Sequence, residues 1–339
     1  MDLKFPSQSN QAGLGHGNFN PNPSPCERRK LITSKAMSFS ENERFSHAAS
    51  LGQQGVWIQW ADIALPFDFS WSNLIWGLSP QIVSFFPECF INWVATPHLL
   101  NLWGLKTSGS FQLCSEPKCI FHHIISSCQF SLLNGRYSWR HDSVLLCIKE
   151  VLEKHIADAN QKCTLPLTLI YLFIKAGHNN SKGVIRKSSK SELDGASDWK
   201  LLVDFGHEKI TFPPEICDSN ERPDIIIWSA SLKKVILLEL TCPAEEGILA
   251  ARVFKEAKYM SLTKSIKQSG WIAVFLTIEV GARGFVSHSL VSSLHKVGIS
   301  KLVLNKTRKA ISLLAARCSY HILKSASTKE WDRQKPLLR

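Results

Sequence analysis

Two short runs set the limits on this chain: Ile225-Ile-Ile-Trp228 and Val235-Ile-Leu-Leu-Glu-Leu-Thr241. Branched and aromatic residues at this density form strands, and the polar stretch Ser229-Ala-Ser-Leu-Lys-Lys234 between them reads as the turn of a hairpin. Each run carries one carboxylate in apolar company. Asp224 follows Pro223 at the start of the first strand, and Glu239 lies near the end of the second. Antiparallel pairing brings the two side by side at one end of a sheet. A carboxylate on an apolar strand is costly unless it is paired or holds a metal, and oxygens grouped in this way suit a hard cation such as Mg²⁺. A capping Asp and an edge-strand Glu account for the same letters.

The surrounding text extends the hairpin to an α/β domain over residues 196–325. Leu201-Leu-Val-Asp-Phe205 predicts a preceding strand, and Phe212-Pro-Pro214 a turn. Residues 245–267 have helical spacing, with Ile248, Leu249, Val253, Ala257, Met260 and Leu262 as the apolar face. Trp271-Ile-Ala-Val-Phe-Leu-Thr-Ile-Glu-Val280 predicts a buried strand, laid parallel to the Glu239 strand after the helical crossover. Residues 287–294 and 308–322 read as flanking helices.

Upstream, residues 1–50 are rich in Ser, Asn, Pro and Gly and predict a disordered leader. Residues 51–155 are a mostly helical, Trp-rich region cut into short helices by Pro80, Pro87 and Pro97. Within it, residues 111–142 hold Cys114, Cys119, His122, His123 and Cys128, side chains that bind Zn²⁺. Gly135-Arg136-Tyr-Ser-Trp-Arg140-His141-Asp142 comes next. Its two arginines, imidazole and aromatics can clamp a phosphate and stack a base, or open an ion-paired helix. Apolar residues at Val144, Leu145, Ile148, Val151 and Leu152 predict a helix that closes this first domain. Residues 156–195 read as a linker, and residues 326–339 as a basic tail.

The net charge of +12 is unevenly placed. Residues 250–339 hold 17 Lys or Arg against 4 Asp or Glu, so the whole surplus sits in the last quarter. Phosphate neutralisation calls for such a block, and so does a solvated face. The ten cysteines are too dispersed for a disulfide scaffold and point to a reducing, intracellular setting. Arg28-Arg-Lys30 is a short candidate nuclear address. No apolar run reaches the length of a membrane span. Nothing assembles a Ser-His-Asp arrangement, a phosphate-binding Gly loop or a dinucleotide fingerprint.

Arg222-Pro-Asp224 followed by Glu239-Leu-Thr241 resembles the PD-(D/E)XK nucleases, with Thr241 where that family carries Lys. Further short motifs stand in order. They are Asp198-Trp-Lys-Leu-Leu-Val-Asp204, Phe254-Lys255-Glu-Ala-Lys258-Tyr259, Gly270-Trp271, Ile278-Glu279-Val-Gly-Ala-Arg283-Gly-Phe285 and Arg308-Lys309-Ala-Ile311. Together they resemble the restriction-like endonuclease region at the C-terminal end of site-specific non-LTR retrotransposon polyproteins. Thr96-Pro-His-Leu-Leu-Asn-Leu-Trp-Gly-Leu105 and the Cys/His cluster resemble that family's zinc-knuckle segment, with Phe111 in place of one Cys.

The resemblance implies a restriction-endonuclease-like mixed sheet flanked by helices and Mg²⁺- or Mn²⁺-dependent nicking of DNA. In an intact element, the freed 3′ hydroxyl would prime reverse transcription of the element's own RNA. It implies Asp224 and Glu239 as metal ligands and Lys258, Lys255 and Tyr259 as their helical partners. Cys114, His123 and Cys128 would bind zinc, with Cys119 or His122 as the fourth ligand. Arg136, Arg140, His141, Arg283, Arg308 and Lys309 would contact nucleic acid. A last strand parallel to the Glu239 strand puts Glu279 and Arg283 at the same sheet end, where Glu279 reads as a further ligand or, in preference, as the ion-pair partner of Arg283. The family's reverse transcriptase has no counterpart here, because no Tyr-x-Asp-Asp follows an apolar strand. An inactive nucleic-acid-binding remnant or a non-functional retroelement fragment is the alternative.

Overall fold

A computed structural model describes residues 24–52, 78–111, 113–164, 191–205 and 210–331. Trp57, Trp60, Trp71 and Trp76, most of the expected linker and the end of the basic tail lie outside these residues. The chain divides into two units, Met1–Gln59 and Trp60–Arg339.

In the first unit α1, Pro25–Ser50, replaces the disorder expected of residues 1–50 wherever that stretch is described. Its start is a capping box. Glu27 N–H donates to Ser24 Oγ at 3.3 Å, and Ser24 N–H donates to a Glu27 carboxylate oxygen at 2.8 Å, with Pro25 as the first helical residue. None of its residues is buried, so local capping and propensity carry it.

The second unit is built on one sheet. Strands β1 (Lys200–Val203), β2 (Ile225–Ser229), β3 (Lys234–Thr241) and β4 (Ile272–Glu279) lie in the order 1-2-3-4. The antiparallel β2–β3 hairpin and the parallel β3–β4 pairing are as expected, and β1 joins β2 antiparallel. The β2–β3 register sets Ile225 opposite Leu238, so the next pair outward is Asp224 opposite Glu239.

Period-two alternation divides the sheet's two faces. Ile225, Ile227, Ile236, Leu238 and Leu240 join one core, which also takes in Leu276 and Ile278 of β4. That core includes Val144, Leu145, Ile148 and Leu152 of α5 (Arg136–Thr164), Leu290 and Leu294 of α8 (His288–Val297), and Ile311 of α9 (Lys301–Lys324). On the other face Ile226, Trp228, Val235 and Leu237 pack with Tyr259 and with Leu262 and Ile266 of α7, Met260–Gln268. The β3–β4 crossover runs through α6, Ile248–Lys258, and then α7.

The expected border between a first domain ending at 155 and a second beginning at 196 is not present. Helix α5 continues to Thr164, and it covers the sheet rather than closing a separate domain. Leu193, Ala196 and Trp199 join the same core. The order is helix, three strands, helical crossover, strand. The earlier helices are α2 (Pro80–Phe90), α3 (Pro97–Leu102) and α4 (Gln129–Leu133), with a π-helical turn at His123–Ser127. Pro80 and Pro97 open their helices, whereas Pro87 lies inside α2. Ile82, Phe85, Phe86 and Cys89 of α2 pack with Ala316 and Tyr320 of α9. Among the described residues, no helix is long and apolar enough to cross a membrane.

Candidate functional site at the sheet end and a neighbouring Cys/His group

Asp224 and Glu239 meet where β2 begins and β3 ends. Asp224 N–H donates to Glu239 Oε2 at 3.1 Å, and Leu240 N–H donates to Asp224 Oδ2 at 2.8 Å. Each carboxylate is thus fixed by the backbone of the other's strand. Asp224 Oδ1 accepts no hydrogen bond among the described residues. Glu239 is 1% exposed. Burial, then the neighbouring Asp224 charge, holds its carboxyl above the usual range, with Lys255 opposing.

Lys255 supplies the ammonium. Its Nζ donates to Glu239 Oε1 from α6. Lys258, the closer match to the resembling Lys-Tyr pair, turns elsewhere. Its Nζ lies 3.0 Å from Tyr259 Oη and 3.9 Å from Glu221. Tyr259 is buried behind the carboxylates and donates to Arg222 O at 2.9 Å. Burial first, then the Glu239 and Asp224 charges, pushes its phenol well up.

His141, expected to contact nucleic acid, lies at this site. Its Nε2 lies 3.3 Å from Asp224 Oδ2 and 3.2 Å from Leu240 O, and its Nδ1 lies 3.2 Å from Asp142 Oδ1. With acceptors at both nitrogens the ring is held protonated. Burial opposes this, but the two carboxylates outweigh it and push the pKa up to about 10. The side chain's chemistry was legible in the sequence, but its partner, 83 residues away, was not.

Three arginines expected to contact nucleic acid are structural. Arg136 is buried, donating to Ser325 O at 2.7 Å and Thr328 O at 2.6 Å beyond the end of α9. Arg140 is buried against Ile125 O of the π-helical turn at 2.8 Å, Ser319 Oγ at 3.0 Å and Cys242 O at 2.9 Å. Helix ends and irregular turns leave carbonyls without partners, and these guanidinium groups satisfy them. Arg283 is buried with Glu245, its Nη1 2.6 Å from Oε2. Glu279, expected to pair with Arg283, instead receives Arg252 at 2.7 Å together with Ser287 and Ser289. Neither Arg252 nor Glu245 carried a signal in the sequence beyond its charge. Arg308 and Lys309 are half-buried on α9.

The Cys/His segment forms a second group. One ligand atom each from Cys114, His123 and Cys128 lies within 4.8 Å of the others, close enough to share one metal ion. Cys114 Sγ is 3.1 Å from His123 Nε2. The loop is tight, with Phe111 N–H donating to Glu116 O at 2.8 Å, Ser115 N–H to Phe111 O at 2.8 Å, and Ser115 at φ 59°. Burial raises the Cys114 thiol and lowers the His123 imidazole. The expected fourth ligand does not converge. Cys119 is buried outside the group, and burial, then the Cys114 and Cys128 charges, pushes its thiol up to about 12. His122 turns to Ser127 Oγ at 3.0 Å. Phe111 sets its ring edge-on to His123 at 5.5 Å, so the position a further cysteine would take is filled by hydrocarbon.

Neither a protein-family model nor a curated protein matches the chain.

Proposed function

We propose that this chain is a metal-dependent DNA endonuclease of the restriction-like kind, derived from a retroelement, with its active end at Asp224, Glu239 and Lys255. The observation that carries the proposal is the cross-strand pair of carboxylates with an ammonium group on it, at the end of a mixed sheet. The basic last quarter of the chain and the ordered run of short motifs agree with a polyanionic substrate.

Asp224 and Glu239 would hold Mg²⁺ or Mn²⁺. The donor set fits a hard cation, since both groups are carboxylates at one strand end, and Asp224 keeps one oxygen without a hydrogen bond among the described residues. When bound, such an ion polarises the scissile phosphate and lowers the pKa of water. The protein's own groups do the positioning. Leu240 N–H and His141 hold Asp224, and Asp224 N–H holds Glu239. Lys255 offers a cation within reach of both a carboxylate and an incoming phosphate.

Incubation of supercoiled plasmid with Mg²⁺ or Mn²⁺ is expected to yield the nicked circle, and Asp224→Asn to yield none above background. Equal nicking by the two would remove the enzyme reading. One observation favours a second reading, a non-catalytic DNA-binding remnant: both Glu239 oxygens are already engaged, by Lys255 and by Asp224 N–H. Salt-dependent DNA retention without nicking would select it.

The Cys114, His123 and Cys128 group would hold zinc, because thiolate and imidazole donors suit that ion and a closed site braces a small loop. Metal analysis of the purified chain is expected to give about one zinc per chain, and Cys128→Ser markedly less. Zinc-free wild type with an unchanged thermal midpoint after chelator would refute the assignment.

A further inference from the structure

Helix α6 is built inside out. Of its eleven residues only Ile248 is buried. Arg252 and Lys255 turn inward to Glu279 and Glu239. Leu249, Val253 and Phe254 are left 51%, 64% and 66% exposed, and Met260 at the start of α7 is 69% exposed. Leu249, Val253 and Met260 follow one another at steps of four and seven, so they share a side of the helical path. An amphipathic helix ordinarily buries its apolar stripe and shows its charges to water. Here the carboxylates at the sheet end draw the cations in, and the apolar side is presented outward, beside the candidate site.

Three kinds of partner could cover such a face. A second copy of the chain is disfavoured by charge, since the outward side carries the exposed Lys258, Lys264 and Lys267 against the exposed Glu256, and two such faces repel. A lipid surface could use the exposed Lys258, Lys264 and Lys267, but it would not account for the stripe lying directly beside Lys255 and the carboxylates. Unpaired nucleic-acid bases fit better. A base offers a flat apolar face on an anionic backbone, matching an exposed aromatic with the exposed Lys258, Lys264 and Lys267 nearby. Phe254 directly precedes Lys255, so a base stacked on it would flank the phosphate at the carboxylates.

We infer that the outer side of α6 is a stacking platform for unpaired bases next to the scissile phosphate, so that the preferred substrate is single-stranded or locally melted DNA. The inference rests on the nuclease reading for the position of the scissile bond, but its test does not need cleavage. Full-length protein as purified, without added Mg²⁺ or Mn²⁺, would be titrated into a fluorescently labelled oligothymidylate and a duplex of equal length, with Phe254→Ser and Val253→Ser alongside.

Wild type is expected to bind the single strand more tightly than the duplex. Phe254→Ser is expected to weaken single-strand binding about tenfold with little change on the duplex, and 2-aminopurine fluorescence in the strand is expected to change on binding wild type alone. An unchanged thermal midpoint is expected, because the replaced ring is exposed. Single-strand binding that ignores Phe254 overturns the inference, as does a preference for duplex. Loss in Phe254→Ser of binding to phosphatidylserine vesicles, or of a dimer in sedimentation, assigns the face to lipid or to a second copy and overturns it equally. Phe254-dependent binding without nicking would sink the nuclease reading alone. Nicking with Phe254-independent binding would sink this one alone.

Discussion

Lys255→Met is expected to lower metal-dependent nicking roughly 10²–10³-fold, whereas Lys258→Met is expected to leave it within about tenfold of wild type. The sequence alone favours the opposite ranking, because Lys258 stands beside Tyr259 as in the resembling motif. Geometry reverses it. Lys255 Nζ contacts Glu239, while Lys258 Nζ is directed to Tyr259 Oη and Glu221. Removal of Lys255 acts in two ways. It deletes the cation nearest the position of a bound phosphate. It also leaves Glu239 buried beside Asp224 without the ammonium that counters both influences raising its pKa, so the protonated form, a poor metal ligand, is favoured. Lys255→Arg keeps the charge and is expected to retain more activity than Lys255→Met. Initial nicking rates at fixed metal concentration, with thermal midpoints as the folding control, would decide the matter. An equal loss in Lys258→Met, or none in Lys255→Met, would refute the assignment.

The sheet was legible because its strands are written in branched apolar residues and its hairpin is short. Once Ile225 and Leu238 pair, Asp224 and Glu239 have nowhere else to go. Other features were misread for identifiable reasons. The capping box from Ser24 to Glu27 was in the text, but the Asn- and Pro-rich run before it set the expectation for the whole leader. Helical period marks out α5 without saying what it covers, and the residues it buries belong to the sheet's own core.

The same limit applies to α6. Its spacing gives Ile248, Leu249, Val253, Ala257, Met260 and Leu262 as one apolar face, whereas Ile248 and Leu262 are buried and Leu249, Val253 and Met260 are exposed, because periodicity cannot say which side faces the protein. Glu239 and Glu279 decided that, and neither is near α6 in sequence. The run from Arg136 to His141 suggested phosphate contacts because charge was visible, whereas the carbonyls that Arg136 and Arg140 satisfy belong to segments as far away as Ser325 and Cys242.

Arg283→Met is expected to destabilise the protein by about 3–5 kcal/mol, the largest effect on stability foreseen for a single change. Arg283 and Glu245 are both fully buried. They are joined by the guanidinium at 2.6 Å and by Arg283 N–H on Glu245 Oε1 at 2.6 Å, with Asn92 Oδ1 and Cys89 O as further acceptors. The neighbouring glycines make room for this arrangement. A Cβ on Gly281 would collide with Glu245 Oε1, and one on Gly284, at φ 96°, would lie 2.6 Å from Ser312 O.

The motif Gly281-Ala-Arg283-Gly284 therefore builds a buried ion pair that ties α2 to the loop after β4. Deleting the arginine leaves a carboxylate out of water with no countercharge, which is why breaking one partner costs more than replacing both. Glu245→Met combined with Arg283→Met is accordingly expected to recover much of the loss. At roughly 2–4 °C per kcal/mol for a domain of this size, the single variant should melt on the order of 10 °C lower. If Arg283 acted instead as a phosphate contact, Arg283→Met would weaken DNA binding and its salt dependence while leaving the melting midpoint in place. Calorimetry beside a DNA-retention assay separates the two outcomes, and an unshifted midpoint would refute the buried-pair account.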